Sequence, residues 1–182
     1  MTFTRTRPEF PKKREPIKKI GWVIFFLSLA LALISSVMSL YVNSFLNSEA
    51  KTGLTFSFLM FISFLSFFII IPVIERLDRY KLTIKTMFFT AAGYFLYYFI
   101  GNFYLFIILA SMIAIVGTLR ISALGLLIRE NSQRKSVSKN EGFIYSLSNL
   151  SFTLGSLLII PLMFYFNIRA VFIAASLLII VS

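Results

Sequence analysis

Residues 20–46, 54–74, 84–100, 103–128 and 143–166 form five apolar stretches that meet or nearly meet the roughly 20 residues a helix needs to cross a bilayer core. A sixth begins near residue 170 and reaches Ser182 after about a dozen residues, too few to span on the same criterion, so the chain is expected to end inside a helix. Composition agrees. With 58% hydrophobic residues, 14% charged and a mean hydropathy of +0.88, the chain is far more apolar than a soluble domain, which is about half apolar and a quarter charged. The expected fold class is all-α, a polytopic transmembrane helix bundle over residues 20–182 behind a basic, disordered tail over residues 1–19. That tail carries Arg5, Arg7, Lys12, Lys13, Arg14, Lys18 and Lys19 with Pro8, Pro11 and Pro16, a composition that cannot bury a core.

A net charge of +11 would suit a nucleic-acid binder only if the basic residues were gathered on one water-exposed domain. Here they punctuate apolar runs, so the expected partner is the lipid bilayer and not nucleic acid. The first apolar run is longer than the 7 to 15 residues of a signal-peptide core, which argues against cleavage. Connectors alternate in charge. The tail is rich in basic residues, connector 47–53 has only Lys51, and connector 75–85 has Arg76, Arg79, Lys81 and Lys85. Gly101 and Asn102 then form an uncharged turn, and connector 129–141 holds Arg129, Arg134, Lys135 and Lys139. The positive-inside rule therefore predicts a multi-pass protein of the cell (inner) membrane with a cytoplasmic amino terminus. Aromatics that prefer the headgroup level follow the same scheme, with Trp22, Tyr80 and Tyr145 at cytoplasmic ends and Tyr41, Tyr97, Tyr98, Tyr104 and Tyr165 at outer ends. Tyr94 lies deeper.

The chain has no Cys and no His, which removes disulfides, thiolate and imidazole chemistry and nearly all protein-ligated metal sites. No catalytic residue, metal or cofactor is expected. All seven carboxylates, Glu9, Glu15, Glu49, Glu75, Asp78, Glu130 and Glu141, fall in the tail, the connectors or the span edges. An intramembrane enzyme would thus lack the usual acid–base and nucleophilic sets.

Helices do not attract one another hydrophobically in lipid, so small and weakly polar side chains mark packed or cavity-lining faces. Ser28, Ala32, Ser35, Ser39 and Asn43 recur at helical spacing in the first span, and Tyr145, Asn149, Thr153 and Ser156 do so in the fifth. The candidate solute or ion pathway comprises Ser35, Ser39, Asn43, Asn149 and Arg120. Any single Ser could equally serve helix packing. Arg120 differs in kind, because it lies nine residues before Arg129 and so roughly 13 Å deep. A central Arg is unfavourable by about 2.5 to 3.5 kcal/mol and normally faces a bundle interior or wet cavity. Its counter-charge is an anionic solute, a carbonyl cluster or a segment outside this chain; the alternative is an Arg capping carbonyls at a helix break beside Gly117 or Gly125.

The connector Ile74, Glu75, Arg76, Leu77, Asp78, Arg79, Tyr80, Lys81 resembles the signature loop between helices 2 and 3 of the major facilitator superfamily. Asp78 and Arg79 fit that motif, while Ile74 and Lys81 stand where it has glycines. Arg120 followed by Gly125 resembles the intramembrane Arg of many antiporters in the family, one residue out of register, and residues 167–172 resemble the short turn that joins helices 5 and 6. The antiporter Gly-Pro signature of helix 5 is not present, since Ser156 follows Gly155.

The resemblance implies a six-helix half made of two three-helix repeats. It also implies a gating loop at Asp78 and Arg79, and secondary active transport of a small solute by alternating access against a missing second half or a second copy. The competing expectation is a small non-transporting membrane accessory or immunity protein.

Overall fold

The structure, a computed structural model, describes residues 17–132 and 136–182. The basic tail over residues 1–16, and Arg134 and Lys135 of the cationic connector, lie outside the described residues. Among the described residues the chain is all-α: α1 (Ile17–Leu46), α2 (Glu49–Arg76), α3 (Arg79–Tyr97), α4 (Phe103–Asn131), α5 (Val137–Tyr165) and α6 (Ile168–Val181). Four of these, α1, α2, α4 and α5, are long and apolar enough to cross a membrane. Lys81, Lys85 and a series of threonines dilute the apolar character of α3, and α6 has 14 residues.

Apart from α4, which starts at Phe103 as expected, the helices begin earlier than hydropathy predicts, because hydropathy marks the part inside hydrocarbon and capping marks the helix itself. Ser48 accepts from the Lys51 amide at the start of α2. Asp78 accepts from the amides of Tyr80 and Lys81, so α3 starts at Arg79 and not at residue 84. Asn102 does the same for α4 through the Tyr104 amide. Between α1 and α2, Asn47 takes φ 48°, the left-handed conformation that lets a helix stop within one residue.

The packing carries an internal symmetry that the sequence does not display. α1 packs chiefly on α5 and α6, α4 chiefly on α2 and α3, and α3 also packs on α6. Exchanging α1, α2, α3 with α4, α5, α6 turns the α1/α5 contact into α4/α2 and the α1/α6 contact into α4/α3. The α3/α6 contact maps onto itself. Two three-helix repeats therefore interlock, and because three helices separate equivalents in an up-and-down chain, the repeats run in opposite senses.

Close approaches hold this arrangement. At Gly155 of α5 an added Cβ would lie 2.6 Å from the Ala32 Cβ and 2.9 Å from the Leu29 carbonyl oxygen of α1, so only hydrogen fits there. Ser28 and Ser148 share a hydrogen bond of 2.7 Å along the same seam. On the other side of the bundle the Ser176 hydroxyl of α6 donates to the Ala91 carbonyl of α3 at 2.8 Å.

At the end where α1 and α3 finish and α4 and α6 begin, Tyr41, Tyr97, Phe106 and Phe172 pack ring against ring, with Tyr41 and Phe172 centroids 4.7 Å apart. The Tyr41 hydroxyl lies 2.9 Å from both the Tyr97 and Ile100 carbonyl oxygens at the end of α3, where the Tyr97 oxygen also meets the Ile100 amide at 3.4 Å. Tyr41 and Tyr97 thus stand at the helix ends where they were expected but face inward, each 1% exposed. Trp22, Tyr80, Tyr98, Tyr104, Tyr145 and Tyr165 do face outward. The ring of an amphipathic Tyr is equally at home in a packed interior when its hydroxyl finds a partner.

Gly155→Ala should destabilise the bundle by about 1 to 3 kcal/mol through overpacking, whereas Gly125→Ala, with nothing within 4 Å of the new methyl, should not. Tyr41→Phe should cost about 1 kcal/mol for the lost hydrogen bond. Thermal unfolding of the detergent-solubilised protein measures all three.

Candidate transport site

Only Ile144, Ser151 and Gly155 of α5 are buried, so most of this helix presents an open face. Asn149, Thr153 and Ser156 lie on it, exposed. Ser35, Ser36 and Ser39 of α1 are exposed as well. Their hydroxyls are oriented by their own helices: Ser35 donates to the Ala32 carbonyl at 3.0 Å, Ser36 to the same carbonyl at 2.9 Å, and Thr153 to the Asn149 carbonyl at 3.0 Å. With the proton directed at the backbone, each oxygen offers lone pairs to whatever lies outside the helix.

Ser39 and Asn43 come together with α2 in a cavity of about 360 Å³ lined also by Leu40, Glu49, Thr52, Gly53 and Phe56. Its polar frame is internal to the chain. Thr52 Oγ1 lies 3.5 Å from Asn43 Oδ1 and donates to the Ser48 carbonyl at 3.0 Å. Ser35 sits one turn away along α1, and Asn149 belongs to α5, outside this cavity.

Arg120 is elsewhere. It is 3% exposed, and its Nη1 donates to Thr90 Oγ1 of α3 at 3.1 Å. Thr90 in turn donates to the Thr86 carbonyl at 2.7 Å, and Thr86 to the Thr83 carbonyl at 2.8 Å. The Nε of Arg120 has no hydrogen-bond partner, and no described carboxylate pairs with the guanidinium. α4 runs unbroken from Phe103 to Asn131, so Arg120 caps no helix break at Gly117 or Gly125. Sequence reasoning singled out Arg120 but missed its partner. Thr83, Thr86, Thr90 and Tyr94, spaced three, four and four apart and all buried, were the available signal.

At the opposite end from the Tyr41 cluster, Asp78 holds the first turn of α3 and Arg79 forms an ion pair with Glu130 near the end of α4. Arg129 Nε donates to Glu141 Oε1 of α5 at 3.1 Å. Three helix ends, of α3, α4 and α5, are thereby tied by neighbouring opposite charges.

The family model described as Major Facilitator Superfamily matches residues 20–182, the whole bundle. The chain belongs to the major facilitator superfamily. Members of this superfamily are transporters of small solutes across membranes, not enzymes, and the six apolar or partly apolar helices fit a multi-pass membrane protein. No curated protein and no solved structure matches the chain. Within this superfamily member, Asp78 and Arg79 occupy the helix 2–3 connector and Arg120 the middle of helix 4, with the hydrogen bonds just described.

Thr90→Val keeps the shape of the side chain but removes the acceptor for Arg120. Leaving a buried guanidinium N–H without its partner should destabilise the fold by about 1 to 3 kcal/mol. Combined with Arg120→Met, the same change should cost less than the sum of the two single changes, a coupling that a double-mutant cycle by thermal unfolding detects.

Proposed function

We propose that this chain forms one half of a secondary active transporter that moves a small solute by alternating access. The observation that carries the reading is the two-repeat packing of the six helices, which leaves hydroxyl and amide side chains of α1 and α5 on an exposed face. Polar groups on a lipid-facing surface are costly, so such a face calls for water, solute or a protein partner. The partner is a second six-helix half or a second copy of this chain. Ser35, Ser39, Asn43 and Asn149 line the pathway between the halves.

Arg120 acts from behind this face. Only one of its donor nitrogens has a partner, at Thr90, and no described carboxylate neutralises it. The field of this guanidinium favours an anionic solute, and its bond to α3 makes its orientation sensitive to any sliding of α3 along α4. Asp78 and Arg79 gate the cytoplasmic end. When the carrier changes state, the Arg79–Glu130 pair that joins α3 to α4 is made or broken, biasing one state over the other.

The chain contains no Cys, so single-cysteine probes report without background. Ser35→Cys and Asn149→Cys should react with a water-soluble maleimide in membranes, and Phe88→Cys on the exposed apolar face of α3 should not. Equal inertness of all three would place Asn149 in lipid and remove the pathway. In the assembled carrier, Arg120→Ala should strongly impair uptake or efflux without loss of membrane insertion. A reporter placed between Asn131 and Val137 should read cytoplasm.

A further inference from the structure

α3 has two faces of opposite character. Thr83, Thr86, Thr90, Tyr94 and Tyr97 are buried against its neighbours. On the other side Lys81, Lys85, Phe88, Ala92 and Phe95 follow one another at spacings of three and four, with Ile84 beside Lys85, all exposed and Phe88 at 71%. This stripe has no hydroxyl or amide side chain and its lower part is wholly apolar, as a lipid-facing surface should be. Two lysines nonetheless stand on it, one turn apart and both at the end where α3 begins.

Among the described residues neither lysine side chain makes a hydrogen bond or an ion pair. The described carboxylates at that end have other partners: Asp78 the α3 amides, Glu130 Arg79, and Glu141 Arg129. Lys85 lies six residues into α3, about 9 Å from its start, within reach of the headgroup layer for a snorkelling side chain. Side chains four apart on a helix are neighbours, so the two ammonium groups can engage one phosphate between them. Below them Ala92 projects nothing beyond Cβ between Phe88 and Phe95, leaving a shallow notch in the path an acyl chain would follow from that phosphate.

We propose that this stripe binds an anionic phospholipid of the adjacent leaflet, its headgroup phosphate held by Lys81 and Lys85 and one acyl chain lying over Ala92. The site is distinct from the solute pathway and does not depend on it. A bound lipid would cover the outer side of α3, the helix that receives the Arg120 hydrogen bond.

The test is native mass spectrometry of the full chain released from neutral detergent with phosphatidylglycerol and phosphatidylcholine of identical acyl chains. The wild-type chain should retain phosphatidylglycerol preferentially. Lys81→Gln combined with Lys85→Gln should lower that preference about tenfold to thirtyfold, on roughly 1 kcal/mol per basic residue near an anionic surface. Lys18→Gln combined with Lys139→Gln, an equal charge loss at the same end, should leave it intact, and Lys81→Arg with Lys85→Arg should preserve most of it. An undiminished preference in the double Gln variant overturns the proposal. So does an equal drop with the Lys18→Gln and Lys139→Gln pair, which would reduce the effect to the general attraction of a basic protein end. The substituted lysines are exposed and their side chains make no bond among the described residues, so the variants fold as the parent does, which their elution profile in neutral detergent verifies.

Discussion

α1 can serve as the hub of the bundle only because α5 comes close enough for Gly155 to sit against Ala32 and the Leu29 carbonyl. In lipid there is no hydrophobic gain from bringing two helices together, since acyl chains solvate apolar side chains as well as another helix does. What remains is dispersion at short range and hydrogen bonding, and both demand small residues at the contact. Ala30, Ala32 and Val37 of α1 are fully enclosed, and Ser28 reaches Ser148. With α1 seated on α5 and α6, the equivalent seating of α4 on α2 and α3 closes the second repeat.

The polar interior is organised around the α3/α4 seam. A guanidinium near the bilayer centre is unfavourable unless its donors are met, and Thr90 meets one of them while passing its own proton down α3 to the Thr86 carbonyl. Among the described residues the Nε of Arg120 has no partner and no carboxylate pairs with the guanidinium. Charge pairs at one end, Arg79 with Glu130 and Arg129 with Glu141, and a ring cluster around Tyr41 at the other bracket that guanidinium. The two ends therefore differ in kind: one is held by interactions that water can exchange, the other by packing and a shared hydroxyl.

Much of the candidate site was legible beforehand. Arg120 stands out because nothing else charged lies so deep, and Asp78 with Arg79 because their spacing matches a loop signature. Ser39 and Asn43 were expected on one face of the first helix and do share a cavity with α2. The direction of Arg120 was not legible. The small polar residues of its helix, Ser111, Thr118 and Ser122, mark a face away from Arg120, and Thr90 lies thirty residues away on another helix. Tyr41 and Tyr97 carried the composition of headgroup residues and turned into the packed interior, where the Tyr41 hydroxyl finds the Tyr97 and Ile100 carbonyls as hydrogen-bond acceptors.

By itself the sequence determined how many helices form, about where each enters lipid, and which connectors are cationic. These are local properties: bilayer thickness sets the length of a run, and capping residues such as Asp78 and Asn102 set its first turn. Tertiary structure alone decided which helices meet and which side chains turn inward. Leu, Ile and Phe gain as much facing lipid as facing protein, so hydropathy carries no inside and outside, and only steric fit at Gly155 and paired polar groups at Ser28, Thr90 and Ser176 choose between the faces.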